Sequence, residues 1–102
     1  MYRAGDELDH EEWLIELNRV ADRLELGSQA RSTAQDLFLS GVPSEDRSKP
    51  AAIAACLYAG ALIAGEERSQ TDVAEATGVS RLSIQSRWKD LLEDAGLRPP
   101  TW

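Results

Sequence analysis

The chain has 102 residues, a formal net charge of −7 and a hydrophobic content of 42%. This length supports one domain with an apolar core, while a single cysteine and a single histidine exclude a disulfide framework and a multi-histidine metal site. No secretory signal opens the chain, and the apolar run over residues 50–65 is too short to span a bilayer, so we expect a soluble cytoplasmic protein without a metal or cofactor.

The charge composition has a second feature. Acidic residues outnumber basic residues by 18 to 11, and only Lys49 and Lys89 among the bases are lysines. Such a surface is typical of a salt-rich cytoplasm, where screening weakens the repulsion between like charges. The alternative is an ordinary acidic protein.

Apolar periodicity predicts five helices in an all-α domain. The first begins after a cap at Asp9, with Glu12 completing a capping box, and it ends at Gly27. The second follows a cap at Ser28 and stops at Gly41. We expect their inward-facing residues to be Trp13, Leu14, Leu17, Val20, Ala21, Leu24, Ala30, Ala34, Leu37 and Phe38.

A polar loop over residues 41–49 precedes a third helix, which runs from Pro50 to Ala64 and ends before Gly65. This helix has no charged residue, which predicts that the other helices surround it. Its many alanines allow neighbouring helices to approach closely. Cys56 lies within it, and we expect a small buried apolar residue rather than a reactive thiol.

Two short helices joined by a tight turn are predicted over residues 69–93. Ser69 caps the fourth helix with Asp72 in a second capping box, Gly78 provides the positive φ of the turn, and Ser80 caps the fifth helix. Gly96 closes the fifth helix and is followed by a tail. The expected inward-facing residues are Val73, Ala74, Val79, Ile84, Trp88, Leu91 and Leu92.

The outward face of the fifth helix combines cations with short polar side chains. Arginine pairs bidentately with guanine and glutamine with adenine, an apolar residue such as Leu82 contacts a thymine methyl, and serines contact phosphate. The pattern predicts a helix-turn-helix whose second helix enters the major groove of DNA. An ordinary hairpin with a solvated charged face is the alternative, and Arg87 is expected to contact either phosphate or one of Asp90 and Glu75.

Three blocks of sequence, over residues 48–59, 67–74 and 78–91, together resemble the second cyclin-like repeat of archaeal transcription factor B, the relative of eukaryotic TFIIB. The resemblance covers residues 10–93. It implies a five-helix cyclin-like (TFIIB core) repeat with a C-terminal helix-turn-helix, in a domain over residues 9–96 between tails at 1–8 and 97–102. With the acidic composition, it also implies a haloarchaeal source.

In that family the helix-turn-helix of the second repeat reads a purine-rich element upstream of the TATA box, beside TATA-binding protein. The family usually has a valine and an arginine at the positions of Leu82 and Gln85, so here an adenine-preferring glutamine replaces a guanine-preferring arginine, and Arg81 offers a cation from a neighbouring turn. The expected DNA-binding residues are Gln70, Thr71, Ser80, Arg81, Leu82, Ser83, Gln85, Ser86 and Lys89.

The family's zinc ribbon, linker and first repeat have no counterpart in this sequence. We expect a complete small protein because the chain starts with Met1, and an excised domain is the alternative. Two functions remain open: a stand-alone DNA-binding regulator acting on promoter DNA, with TATA-binding protein or a second copy of the chain as further partners, and a cyclin-like module that binds a transcription component without reading DNA. An enzyme is not expected, because no nucleophile with a base and no phosphate-binding glycine loop are found.

Overall fold

The computed structural model describes the backbone of residues 3–41 and 49–94 and the side chains of residues 11–39 and 49–93. Within these ranges the chain forms five α-helices: α1 Arg3–Arg23, α2 Ser28–Gly41, α3 Lys49–Ala64, α4 Gln70–Thr77 and α5 Arg81–Asp94. The predicted all-α class with five helices is confirmed for these residues. The predicted loop between α2 and α3, the closing Gly96, and the tail over residues 97–102 with Trp102 lie outside the described residues.

Helix α3 is the centre of the bundle. Each of the other four helices packs against it, and every residue from Ala51 to Ala61 is buried. The stretch from residue 51 to residue 61 is stable in this position because it carries no charged side chain, and the one charged residue of α3, Lys49, lies at its first position. The prediction of a surrounded helix is therefore confirmed over residues 51–61. In the last turn Leu62 and Ala64 are half-buried against the core and Ile63 is exposed.

Helices α3 and α2 approach each other closely at Gly60. A Cβ atom added there would lie 2.9 Å from the backbone nitrogen of Ala34 and 3.0 Å from the carbonyl oxygen of Ala30. Real Cβ atoms essentially never come within 3.0 Å of a non-bonded atom, so only glycine fits between the two backbones without a shift of one helix. The alanines alone were expected to permit this contact, whereas the structure requires Gly60.

Two details of α1 differ from the sequence predictions. The helix begins at Arg3 rather than after Asp9, so residues 3–8 of the predicted tail are helical. Residues 6–9 contain neither glycine nor proline, so the helix continues through Asp9 without interruption. Asp9, which was predicted as the cap, lies inside the helix. The helix ends at Arg23, and the left-handed residue that follows is Glu25, with a φ of 56°, rather than Gly27.

The turn after α1 is held by the segment that joins α3 to α4. The backbone N–H of Gly27 donates to Glu66 Oε1 at 2.7 Å, and a Cβ at Gly27 would lie 2.9 Å from the Glu66 carboxylate. A side chain at position 27 would therefore shift the flexible carboxylate end of Glu66. The Arg68 guanidinium donates to the carbonyl oxygens of Leu24 at 2.9 Å, Glu25 at 3.2 Å and Glu66 at 2.9 Å. We call this set of bonds the Arg68 clasp.

The remaining core predictions hold for the described side chains. The expected inward residues of α1 and α2 are buried, or in the case of Trp13 and Leu14 half-buried against the core. Cys56 is fully buried, and burial raises the pKa of its thiol well above the ordinary value, which confirms a packed apolar residue. None of the described helices is both long and apolar enough to cross a bilayer.

Candidate nucleic-acid interface

Residues 69–94, which we call the α4–α5 unit, begin at a capped helix start. Ser69 has extended backbone angles, and its hydroxyl oxygen accepts a hydrogen bond from the backbone N–H of Asp72 at 3.0 Å. This bond satisfies one of the backbone donors that every helix leaves unpaired at its start, and the Asp72 carboxylate in the first turn favours the same helix end. The predicted cap of α4 is confirmed.

The turn between α4 and α5 is built by Thr77 and Gly78. Gly78 has a φ of 77°, and its N–H donates to the carbonyl of Ala74 at 2.8 Å. The Thr77 hydroxyl donates to the carbonyl of Val73 at 2.8 Å and accepts from the N–H of Val79 at 3.1 Å. The role of Gly78 was predicted, while that of Thr77 was not. A threonine at the end of a helix is the available signal, because its hydroxyl reaches the carbonyls of the preceding turn.

The buried face of the α4–α5 unit attaches it to α3. Val73 and Ile84 are fully buried, and Val79 packs partly buried against the core. Trp88 contacts Tyr58 of α3 edge-to-face, with ring centroids 5.3 Å apart. Such aromatic pairs contribute about 0.5–1.5 kcal/mol beyond their buried area. The predicted anchors are confirmed, and they fix which side of α5 faces outward.

The outward side of α5 carries the residues proposed for base contacts. Leu82 is 81% exposed, more than any other large hydrophobic side chain in the described ranges. The polar residues of this side are exposed as well: Arg81, Gln85, Ser86 and Lys89. The Lys89 ammonium lies 5.6 Å from the centroid of the Trp88 ring. Exposed acids, Asp90 and Glu93, follow directly after this segment, so the acid-free surface is confined to the N-terminal part of the helix.

The serines of α5 are used within the helix. The Ser80 hydroxyl accepts from the N–H of Ser83 at 3.2 Å and donates to Ser83 Oγ at 3.1 Å, which confirms Ser80 as the cap. The Ser86 hydroxyl donates to the carbonyl of Ser83 at 3.1 Å. These bonds keep the serine side chains close to the helix backbone, so they project little from the surface between Leu82 and Gln85. Arg87 is half-buried on the opposite flank.

A contact between α4 and α5 joins two of the proposed site residues. The Nε2 group of Gln70 donates a hydrogen bond to Oε1 of Gln85. Gln70 is half-buried at the start of α4, and the adjacent Thr71 is exposed. The sequence predicted both glutamines as site residues but not their pairing, since nothing in the sequence indicates which side chains of the two helices meet. The structure thus places the side chain of Gln70 next to that of Gln85.

Comparison with known proteins identifies the fold family. The family model described as "Transcription factor TFIIB repeat" matches residues 14–94. The chain belongs to the TFIIB repeat family. It is 33% identical over 88 residues to "Transcription initiation factor IIB" of Pyrococcus horikoshii, an alignment that covers 82% of this chain and 29% of that protein.

Other relatives give the same picture. The identity to "Transcription initiation factor IIB 1" of Thermococcus kodakarensis is 33% over 88 residues, with 82% of this chain and 29% of the relative covered. For "Transcription initiation factor IIB" of Pyrobaculum aerophilum it is 28% over 90 residues, with coverages of 85% and 27%. The chain therefore spans less than a third of the length of these relatives. The predicted membership of the TFIIB family is confirmed at the level of the repeat.

Proposed function

We propose that this TFIIB repeat acts as a stand-alone transcription factor, equivalent to a second-type repeat, that reads promoter DNA through α5 in the major groove. The observation that carries the proposal is the outward face of α5. Residues 79–89 contain three cations and no acid in a chain whose net charge is −7, and Arg81 and Lys89 are both exposed there. A local reversal of charge on an outward helix face is the electrostatic footprint of a DNA-contacting helix.

The shape of the α4–α5 unit supports a helix-turn-helix. Recognition helices place their N-terminal residues against base edges, and the acid-free part of α5 is its N-terminal part. Arg81 suits guanine, Gln85 suits adenine and the exposed Leu82 suits a thymine methyl. Thr71 is exposed at the start of α4, and its hydroxyl suits a phosphate contact.

The overall charge determines how such binding would work. An acidic chain gains little from nonspecific attraction to phosphate, and concentrated salt weakens that attraction further. Specific contacts, and a partner that adds contacts, must then supply most of the affinity. We include TATA-binding protein and a second copy of the chain as candidate partners, and a haloarchaeal source as the context that explains the acidic, lysine-poor composition.

The alternative function is a protein-interaction module that does not read DNA. A cleft of about 280 Å³ lies between α1, α3 and the end of α4, and its lining includes the apolar residues Trp13, Val20 and Ile53. The acids Glu12 and Glu16 also line it. A lining that combines acidic and apolar side chains fits a partner segment that carries basic and apolar side chains.

Binding to promoter DNA tests the two functions against each other. The duplex carries a TATA box and its purine-rich upstream element, and binding is measured in roughly molar potassium chloride with and without TATA-binding protein. If α5 reads DNA, Arg81→Glu and Lys89→Glu should each abolish specific binding. Arg19→Glu, which changes the charge equally at an exposed site on α1, is the matched control and should bind like the parent protein.

The same measurement identifies the alternative. Absence of specific binding at high salt, together with only nonspecific binding at low salt, would contradict the DNA-reading function. Loss of binding in the Arg19→Glu variant as well would show that total charge, rather than the face of α5, determines the interaction. A response that requires TATA-binding protein would place the chain in a promoter complex.

A further inference from the structure

The contact between the two glutamines restricts the orientation of one of them. In a carboxamide the oxygen and the NH₂ group lie on opposite sides of the carbon that joins them, and only the oxygen accepts hydrogen bonds. Because Gln70 Nε2 donates to Gln85 Oε1, the oxygen of Gln85 is directed towards α4. Its NH₂ group is therefore directed away from α4, on the exposed side of α5.

Resting on the proposed function, we infer that Gln70 is a positioning residue that determines which base Gln85 recognises. An NH₂ group that faces the groove selects a base edge with an acceptor, and N7 of a purine is such an acceptor. The second lone pair of Oε1 remains available to accept from the N6 amino group of adenine. The oriented glutamine therefore favours a purine at its base pair, and adenine above guanine.

The pairing also lowers the cost of recognition. A free exposed glutamine rotates its terminal carboxamide and presents donor and acceptor in either order, because that torsion has two similar minima. A glutamine already held by a neighbour loses less conformational freedom when it binds a base. Gln70 thus acts on sequence preference through Gln85, without a base contact of its own.

The Gln70→Glu variant reverses the orientation. A carboxylate has only acceptors, so it can bind Gln85 only through the NH₂ group of that residue. The carboxamide of Gln85 then turns, and its oxygen faces the groove. An outward acceptor selects an amino group in the major groove, which cytosine provides at N4 and adenine at N6 but guanine does not provide. We therefore expect the variant to lose its preference for guanine over cytosine at this position and to accept cytosine instead.

The test is a binding profile of the full chain on a library of duplexes randomised across the promoter-upstream element. Gln85→Ala locates the base pair by reducing the preference there by about 5- to 150-fold. Gln70→Ala should reduce the same preference by at least about twofold while affinity for unrelated positions is retained. Because preference is a ratio within one protein, the added negative charge of Gln70→Glu cancels from the comparison.

The control removes a similar bond elsewhere. Gln35 Nε2 donates to Asn18 Oδ1 at 3.2 Å between α2 and α1, so Gln35→Ala also deletes a contact between amide side chains. Its binding profile should equal that of the parent. A readout without DNA is the NMR signal of the Gln70 side-chain NH₂ group, which should shift in Gln85→Ala and not in Gln35→Ala.

The outcomes separate the two levels of the argument. If Gln85→Ala changes the profile and the Gln70 variants do not, the positioning role is wrong while DNA reading by Gln85 stands. If Gln85→Ala leaves every position unchanged, base reading by Gln85 is wrong, and the positioning role is overturned with it. A gain of cytosine over guanine in Gln70→Glu would support both.

Discussion

Gly78 shows what the turn between α4 and α5 requires of a single residue. Its φ of 77° lies in the left-handed region, and a Cβ added there would meet no atom within 4 Å. The position therefore excludes other residues through backbone strain and not through crowding. This position therefore separates a conformational effect from a packing effect.

We expect Gly78→Ala to lower the free energy of unfolding by about 1–2 kcal/mol, the usual cost of left-handed angles for a residue with a Cβ. Gly78→Asn should cost less, because asparagine tolerates these angles better. Denaturant unfolding followed by circular dichroism measures both. Gly65→Ala is the matched control, since Gly65 has a φ of 78° and equally open surroundings at the end of α3. Unequal losses at the two glycines would mean that something other than backbone strain acts at one of them.

At the scale of helices, the packing of α2 on α3 depends on the absence of one side chain. The atoms nearest to a Cβ at Gly60 belong to the backbone of α2, at Ala34 and Ala30, and backbone inside a helix cannot move aside at low cost. The two helices must therefore separate when any side chain is introduced, and the buried residues between them lose contacts.

We expect Gly60→Ala to destabilise the fold by about 1–3 kcal/mol, as overpacking does, although alanine is the better helix former by about 1 kcal/mol. Gly60→Val should be worse. Thermal and denaturant unfolding give the free energies, and Ser32→Ala at an exposed site on α2 is the control, expected within about 0.5 kcal/mol of the parent. A stabilised Gly60→Ala variant would show that helix propensity outweighs the contact and that α2 and α3 have room to separate.

The helices also show how far the sequence predicts this molecule. Apolar periodicity predicted the buried faces, and the caps at Ser69 and Ser80 and the turn at Gly78 follow from local rules that act within a few residues. The approach at Gly60 and the pairing of Gln70 with Gln85 could not be predicted. Both join residues that only the folded arrangement brings together, and local rules contain no information about such pairs.

At the scale of the whole molecule, charge and connectivity act together. Acidic residues outnumber basic residues in the chain. The acid-free part of α5 can therefore contribute to the proposed DNA binding only if the fold holds it in a fixed orientation. The Arg68 clasp and the bond from Arg23 Nη1 to the carbonyl of Ala76 at 2.9 Å connect the α1 end of the bundle to the α4–α5 unit. The Arg68 guanidinium, which lies just before α4, binds backbone carbonyls.

We expect Arg68→Ala to lower the free energy of unfolding by about 1.5–3 kcal/mol, the usual range for hydrogen bonds made by a charged group. Arg68→Lys should recover only part of this, because an ammonium cannot span the carbonyls of Leu24, Glu25 and Glu66 as the planar guanidinium does. Arg19→Ala is the control: its ion pair with Glu16 is 60% exposed on the arginine side, and such pairs contribute about 0–1 kcal/mol. If Arg68→Ala reduced DNA binding without any loss of stability, Arg68 would be a phosphate contact and the clasp would not contribute to the fold. If stability falls and the hydrogen exchange of α4 amides rises with it, the clasp stabilises the start of α4 in addition to the buried contacts of the α4–α5 unit with α3.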